Sequence, residues 1–467
     1  MAEPQDTRTT VRGNGELDET AIEGLRAGLL GQLLRPGEAG YEEARKIHNG
    51  MIDKRPAMIA RCLGVADIVD AVNLARSADL EVAVRGGGHN VAGNAVCDGG
   101  LMIDLSLMKG IHVDAKARTA RAQGGVIWGE FNRETQVHGL ATTGGVISTT
   151  GVAGLTLGGG LGWLMGKYGM AVDNLLSAEI VTASGEVLRA SEDENADLFW
   201  GLRGGGGNFG VVSSFEFQLH EVGPVVSGVV AHPSDHARDV LRFFRDFTAS
   251  LPDELTIFGG LLHAPDGSGT QIAVMLLCHC GPLAEAEAAV RPVKEFGSPV
   301  MDAVGPTSYE ETNMMMDAGF PKGALNYWKS SFLSELSDTA IDVLVDRFSA
   351  CPSPMSGLLL EHFHGATTRV GATDTAFPHR DPGYNLLVVS EWENPADSEQ
   401  NIAWARETYD AMQPHMARGR YVNYLGEDEG EDPVPAYGPN YERLGSLKNR
   451  YDPTNLFHLN QNIKPTA

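Results

Sequence analysis

The sequence predicts an α+β protein in two parts, and three observations carry that prediction. First, 57 of the 467 residues are glycine, against about 7 % in an average chain. Of these, 28 lie between Gly86 and Gly210, interleaved with β-branched residues rather than in low-complexity runs. Second, from about residue 45 to 225 short strand patterns alternate with helical ones. Third, after Pro224 glycine thins out, and as far as about Pro414 longer helices alternate with apolar strands. That is the texture of a sheet with helices packed against it.

The elements follow in order. Residues 67–78 carry Ile68, Val69, Val72 and Leu74 at helical spacing. Residues 81–85 form a short strand that runs into Gly86-Gly87-Gly88. Short strands follow at 101–105, 111–113 and 119–122, then a helix at 126–137 stopped by Gly139 as its C-terminal cap. Strands at 178–183 and 211–219 complete this part. Beyond it, helices at 236–250, 283–296, 339–350 and 398–412 alternate with strands at 257–262, 272–278, 355–363 and 385–392. The last fifty residues are short and turn-rich, and polar residues 1–15 read as disordered. The expected division is a first segment at 16–225, a second domain at 226–414, and a C-terminal segment at 415–467 that returns to the first.

Composition excludes several classes. A net charge of −25 and a pI near 4.9 repel phosphate backbones and anionic lipid, so neither nucleic acid nor a membrane surface is expected as a partner. No secretory leader and no run of ~20 apolar residues is visible. Five cysteines are few and odd in number, which argues against a disulfide framework and for a reducing cytoplasm. His362 and His364 lack a third ligand at sensible spacing, and Cys278-His279-Cys280 reads as a core strand, so no metal is expected.

The glycines point to a large, flat ligand approached by backbone. Gly205-x-Gly207-x-x-Gly210 matches a dinucleotide fingerprint, but its context is reversed: a helical pattern precedes it and a strand follows. No glycine run leads into Lys-Ser or Lys-Thr, so a phosphate loop of that kind is absent. Val84-Arg85-Gly86-Gly87-Gly88-His89-Asn90 remains, a strand opening into free N–H groups that suit a pyrophosphate, with one histidine at its end.

Here the chain resembles the berberine-bridge-enzyme-like FAD-linked oxidases of the vanillyl-alcohol-oxidase, or PCMH-type, fold. The resemblance runs from about Arg55 to Pro465. It is carried by Arg85 to Asn90, residues 98–105, Gly151 to Gly162, residues 167–174, residues 197–211, Tyr421-Val422-Asn423-Tyr424, and the tail from Asp452-Pro453 to Ile463. It implies FAD extended across a two-part FAD-binding domain, with a substrate domain of antiparallel sheet covered by helices. It implies one covalent attachment, the flavin 8α carbon to His89. The position that carries a second, cysteine attachment in many relatives is Ile147, and no cysteine lies between Cys97 and Cys278. Around the flavin it implies Arg85, Gly86, Gly87, Gly88, Asn90, Thr149, Thr150, Gly151, Gly154, Gly158, Gly159, Gly160, Asp173, Asn174, Gly210, Val211 and Asn460.

Flavin oxidation of a C–H bond sends a hydride to N5, and an alcohol or amine must lose a proton as well, so a base near N5 helps. The resemblance offers two candidates. Tyr424, the second tyrosine of Tyr-x-Asn-Tyr, must have its pKa shifted or be coupled to a cationic neighbour to act as a base near neutral pH. Glu361 ends an apolar strand on the face it shares with Phe363, opposite His362 and His364. Thr149 and Thr150 lie in the segment that passes the flavin in relatives, where a small residue leaves room for oxygen. The expected activity is oxidation of a small organic alcohol or amine with O2 reduced to H2O2. A dehydrogenase using another acceptor, an oxidative cyclase or multi-step oxidase, and a non-catalytic flavin-binding protein are the alternatives. Tyr327, Trp328 and Trp392 are the aromatics of the second part that could meet a substrate, without a pattern that names one.

Overall fold

The structure, a computed structural model, describes residues 18–426, 428 and 433–466. The expectation for residues 1–15 lies outside them. Among the described residues three large sheets, with a two-stranded one beside them, organise the chain. A four-stranded sheet runs in the order Gln32–Leu34, Met58–Arg61, Leu101–Asp104, Val82–Arg85. The last three strands are parallel, and the helix Val65–Ser77 connects Met58–Arg61 to Val82–Arg85, leaving room for Leu101–Asp104 to pair between them. An antiparallel five-stranded sheet follows in the order Ile111–Asp114, Thr119–Gln123, Val211–Gln218, Leu175–Val181, Val187–Ser191. Together they give the α+β architecture the sequence predicts.

The third sheet has eight strands and is antiparallel throughout. Its centre is Gln271–His279, Leu255–His263, Gly357–Phe363 and Gly383–Trp392. Helices Ala237–Thr248, Asp338–Ser349 and Ser398–Met412 cover one face, burying Leu358, Leu360, Leu386 and Val388. The alternate residues Leu359, Phe363, Leu387 and Val389 pack on the other face with Trp163, Met170 and Tyr421. Period-two alternation thus turns this face of the sheet toward the glycine-rich part.

Several strands escaped the sequence reading, among them Gln32–Leu34, Met58–Arg61 and Val187–Ser191; the two longest are Val225–Pro233 and Leu325–Leu333. Both are nearly buried throughout. With both faces covered, neither shows the polar alternation that marks a half-exposed strand. The C-terminal helix Tyr441–Tyr451 returns to the first part, where Lys448 and Asp452 form an ion pair at 2.6 Å with both side chains fully buried. Lys448 Nζ also donates to the Asn208 and Phe457 carbonyls, so this pair ties the tail to the glycine-rich loop at 204–210.

Candidate active site

The strand Val82–Arg85 delivers the Gly86–Asn90 loop to a cleft between the first two sheets and the third. Gly87 meets Gly151 backbone to backbone: a Cβ on either would stand 2.4 Å from the other's amide nitrogen. Only glycine permits that approach. Gly154 and Gly207 are glycines for the opposite reason. A Cβ there would meet no protein atom within 4 Å, and both residues line the cleft. Gly86, Gly88, Asn90, Thr150, Gly158, Gly210 and Asn460 line it too.

Other expected contacts stand elsewhere. The Arg85 guanidinium turns away from the cleft to hold Asp104 through two bonds at 2.9 and 2.7 Å, and it donates to the Ala44 carbonyl. Asp173 binds Arg380 in the same two-pronged way, at 2.8 Å each, and accepts from the Met170 amide. Asn174 donates to the Tyr168 and Met170 carbonyls. Val211 is core. Gly159 and Gly160 shape a turn at φ of +123° and +85°. Tyr421 Oη accepts from the Gly160 and Leu161 amides and from Asn423 Nδ2 to brace that turn. Arg85, Asp173, Asn174, Val211, Gly159 and Gly160 brace the segments around the cleft; none of them lines it. The Gly205–Gly210 segment connects the helix Ala196–Leu202 to the strand Val211–Gln218, the reverse of a dinucleotide fingerprint, yet Gly206, Gly207 and Gly210 reach the cleft.

His89 also lines the cleft. Its Nε2 lies 2.8 Å from Thr149 Oγ1, and its ring stacks on His48 at 3.8 Å between centroids. Burial, and secondarily the neighbouring His48, push its pKa down to about 3, so the imidazole is neutral. His48 was not foreseen; nothing local in the sequence links residues 41 apart.

At the sheet side of the cleft, Tyr424 Oη donates to Glu361 Oε1 at 2.8 Å, and Asn385 Nδ2 donates to Oε2 at 2.7 Å. Glu361 is 1 % exposed. Burial raises its pKa to about 7, against the opposing pull of the two hydrogen bonds. Burial and the adjacent Glu361 drive Tyr424 well above its ordinary value. To act as a base Tyr424 would need a lowered pKa or a cationic partner, whereas its pKa is raised and its bonded partner is this carboxyl. Met316, Phe320, Trp328, Leu359 and Leu387 supply the apolar wall. Trp328 stands edge-on to Tyr424 at 5.9 Å. Tyr327 instead donates to Asp428, and Trp392 lies in the core. His362 and His364 stack on each other at 4.9 Å, and His362 lies beside Tyr384 on the helix-covered face.

Residues 56–191 match the FAD binding domain family, and residues 420–464 match the berberine and berberine like family. The chain is 33 % identical to (R)-6-hydroxynicotine oxidase of Paenarthrobacter nicotinovorans over 452 residues, covering 94 % of this chain and 97 % of the relative. The chain belongs to the berberine-bridge-enzyme-like FAD-linked oxidoreductases. An FAD-linked oxidoreductase of Dictyostelium discoideum is 29 % identical, covering 93 % of this chain and 95 % of that one. Crystalline 6-hydroxy-D-nicotine oxidase from Arthrobacter nicotinovorans superposes with a TM-score of 0.86 at 32 % identity, covering 94 % and 98 % of the two chains.

The cleft of this berberine-bridge-like enzyme fits FAD on its own terms. The open positions at Gly154 and Gly207 leave a flat ligand room that side chains would fill. Among the described residues Asn460 Oδ1 is buried with no hydrogen-bond partner, a group that a ligand donor would satisfy. Among the described residues, no helix is long and apolar enough to cross a membrane.

Proposed function

We propose that this FAD-linked oxidoreductase is an oxidase that takes a hydride from a C–H bond of a small organic alcohol or amine, with O2 as final acceptor and H2O2 as product. The observation that carries it is the Glu361–Tyr424 pair, which lines the flavin cleft beside Trp328, Leu359 and Leu387, with Asn385 bonded to Glu361. FAD in the cleft supplies the two-electron acceptor. Residues 16–225 and 415–467 hold it in this reading, and residues 226–414 shape the substrate site.

Glu361 takes the proton of the substrate O–H or N–H, its pKa near the working pH as a general base requires. Tyr424 remains a phenol and keeps the carboxylate oriented toward the substrate; Asn385 fixes its other oxygen. No Lys or Arg lines the cleft among the described residues. The site therefore favours a compact neutral or cationic substrate over a carboxylate, which no cation would offset. The name of the oxidase at 33 % identity supports a small organic substrate.

His89 attaches the flavin, and the attachment is single, since Ile147 lines the cleft at the position of the second tether. Thr150, a small residue of the cleft lining, would leave space for oxygen. The enzyme acts in the cytoplasm, a reading supported by five cysteines that are all free thiols.

The test has two steps. Acid precipitation of the purified chain should leave yellow colour in the pellet. Anaerobic mixing with a panel of small alcohols and amines should then bleach the flavin, and air should restore it with peroxide formed. Bleaching reversed by a dye but not by air would make the enzyme a dehydrogenase. No bleaching by neutral or cationic substrates, with bleaching by carboxylates, would overturn the assignment of the wall.

A further inference from the structure

His89 is held by two loops, and both are fastened to one stretch on the opposite side of the cleft, residues 313–326. On one side, Asn313 donates through Nδ2 to the Gly145 carbonyl and accepts through Oδ1 from Asn132. Asp317 accepts from the Ser148 amide at 2.9 Å with one carboxylate oxygen and from Ser148 Oγ with the other. The next residue, Thr149, carries the hydroxyl 2.8 Å from His89 Nε2. On the other side, the Gly323 amide donates to the His48 carbonyl at 2.9 Å, and the Gly50 amide donates to the Ala324 carbonyl at 2.8 Å. His48 is the ring stacked on His89. Between these two fastenings, Met316 and Phe320 line the cleft.

Attachment to an imidazole requires a neutral ring with its lone pair on the attacking nitrogen. Burial keeps His89 neutral. A neutral imidazole carries one proton, and the group bonded to one nitrogen decides where that proton sits. We propose that Asp317 is a positioning residue for flavin attachment. By gripping Ser148 with both oxygens it sets the Thr149 hydroxyl to accept Nε2–H of His89, which leaves Nδ1 as the nucleophile. The inference rests on the reading of His89 as the attachment point.

In the step itself the bond from Nδ1 to the flavin 8α carbon forms. The methyl C–H proton leaves, and afterwards the Nε2 proton. The C–H electron pair passes to the flavin, and O2 takes that pair with two protons as H2O2. Asp317 and Thr149 donate no atoms; they set the tautomer and the aim.

The experiment uses the full chain produced under riboflavin limitation, mixed with FAD, with attachment followed as acid-stable flavin fluorescence. Asp317→Ala and Thr149→Val are each expected to slow attachment on the order of tenfold. The double variant is expected to be no slower than Thr149→Val within about twofold, because Asp317 acts through Thr149. Asp317→Asn, which can accept from the Ser148 amide and donate to its hydroxyl, is expected to restore the rate to within about threefold. Ser148→Ala removes one of the same two bonds and serves where Asp317→Ala fails to fold, with the same non-additivity expected. Additive slowing in the double variant, or native attachment in both Asp317→Ala and Ser148→Ala, would overturn the proposal. A native chain whose flavin stays wholly in the acid supernatant would instead sink the reading of His89 itself, and the inference with it.

Discussion

Replacing Glu361 by glutamine removes a proton acceptor and a buried charge in one change of the same shape. The carboxyl ionises at about 7 in the folded chain against an ordinary value of 4.5, chiefly through burial. Below pH 4.5 both folded and unfolded chains hold the proton, and the group contributes nothing to the pH dependence of stability. Between 4.5 and about 7 the unfolded chain releases a proton that the folded chain keeps, so stability falls as pH rises; above 7 the loss is complete. At about 1.4 kcal/mol per pH unit, the interval corresponds to about 3 kcal/mol at pH 8. Glutamine has no such dependence. It keeps the Tyr424 bond, and Asn385 Oδ1, which has no hydrogen-bond partner among the described residues, can accept from the new amide if the Asn385 side chain flips.

Glu361→Gln is therefore expected to be more stable than the native chain by up to about 3 kcal/mol at pH 8 and equal to it near pH 4. Its rate of flavin reduction should fall by about 10²–10⁴-fold, as for loss of a general base. In the native enzyme that rate should rise about tenfold from pH 6 to pH 8 as the carboxyl ionises. Denaturant unfolding at the two pH values measures the first effect, and anaerobic stopped flow with a bleaching substrate measures the second. Equal stability differences at pH 4 and pH 8 would refute the burial argument. Native reduction rates in the variant would refute the assignment of the base.

Other outcomes follow from the same geometry. His89→Ala should move the flavin from the acid pellet to the supernatant while the chain still binds FAD, as read by absorbance of the two fractions. Thr150→Leu should slow reoxidation by O2 and leave anaerobic reduction within about twofold; unchanged reoxidation in stopped flow would remove Thr150 as a gate. Lys448→Met leaves Asp452 buried without its cation and should lower stability by about 3–5 kcal/mol in denaturant unfolding. It should also loosen the tail that carries Asn460, which equilibrium dialysis would detect as weaker FAD binding in the His89→Ala background.

The parts of the fold that were legible share one property, a local pattern. The strand Gly357–Phe363 alternates its faces as its sequence implies, with Glu361 opposite His362. The helix Ser398–Met412 begins and ends where its spacing does. The strands Val225–Pro233 and Leu325–Leu333 have no such pattern, because burial on both faces erases the contrast that periodicity needs. Motif membership was a weaker guide to contact. Arg85 and Asp173 lie in family motifs, yet their side chains hold Asp104 and Arg380, residues 19 and 207 positions away.

The sequence by itself determined the class of ligand and the places where backbone must approach it, because a glycine run states its steric consequence locally. It also determined which residue types were available as tether and base. Only the tertiary structure decided what those residues are chemically. Glu361 and Tyr424 are 63 positions apart, and their contact, together with the apolar wall around them, makes one a carboxyl ionising near neutrality and the other a phenol that keeps its proton. A pKa belongs to an environment assembled from distant segments, and the local sequence does not contain that environment.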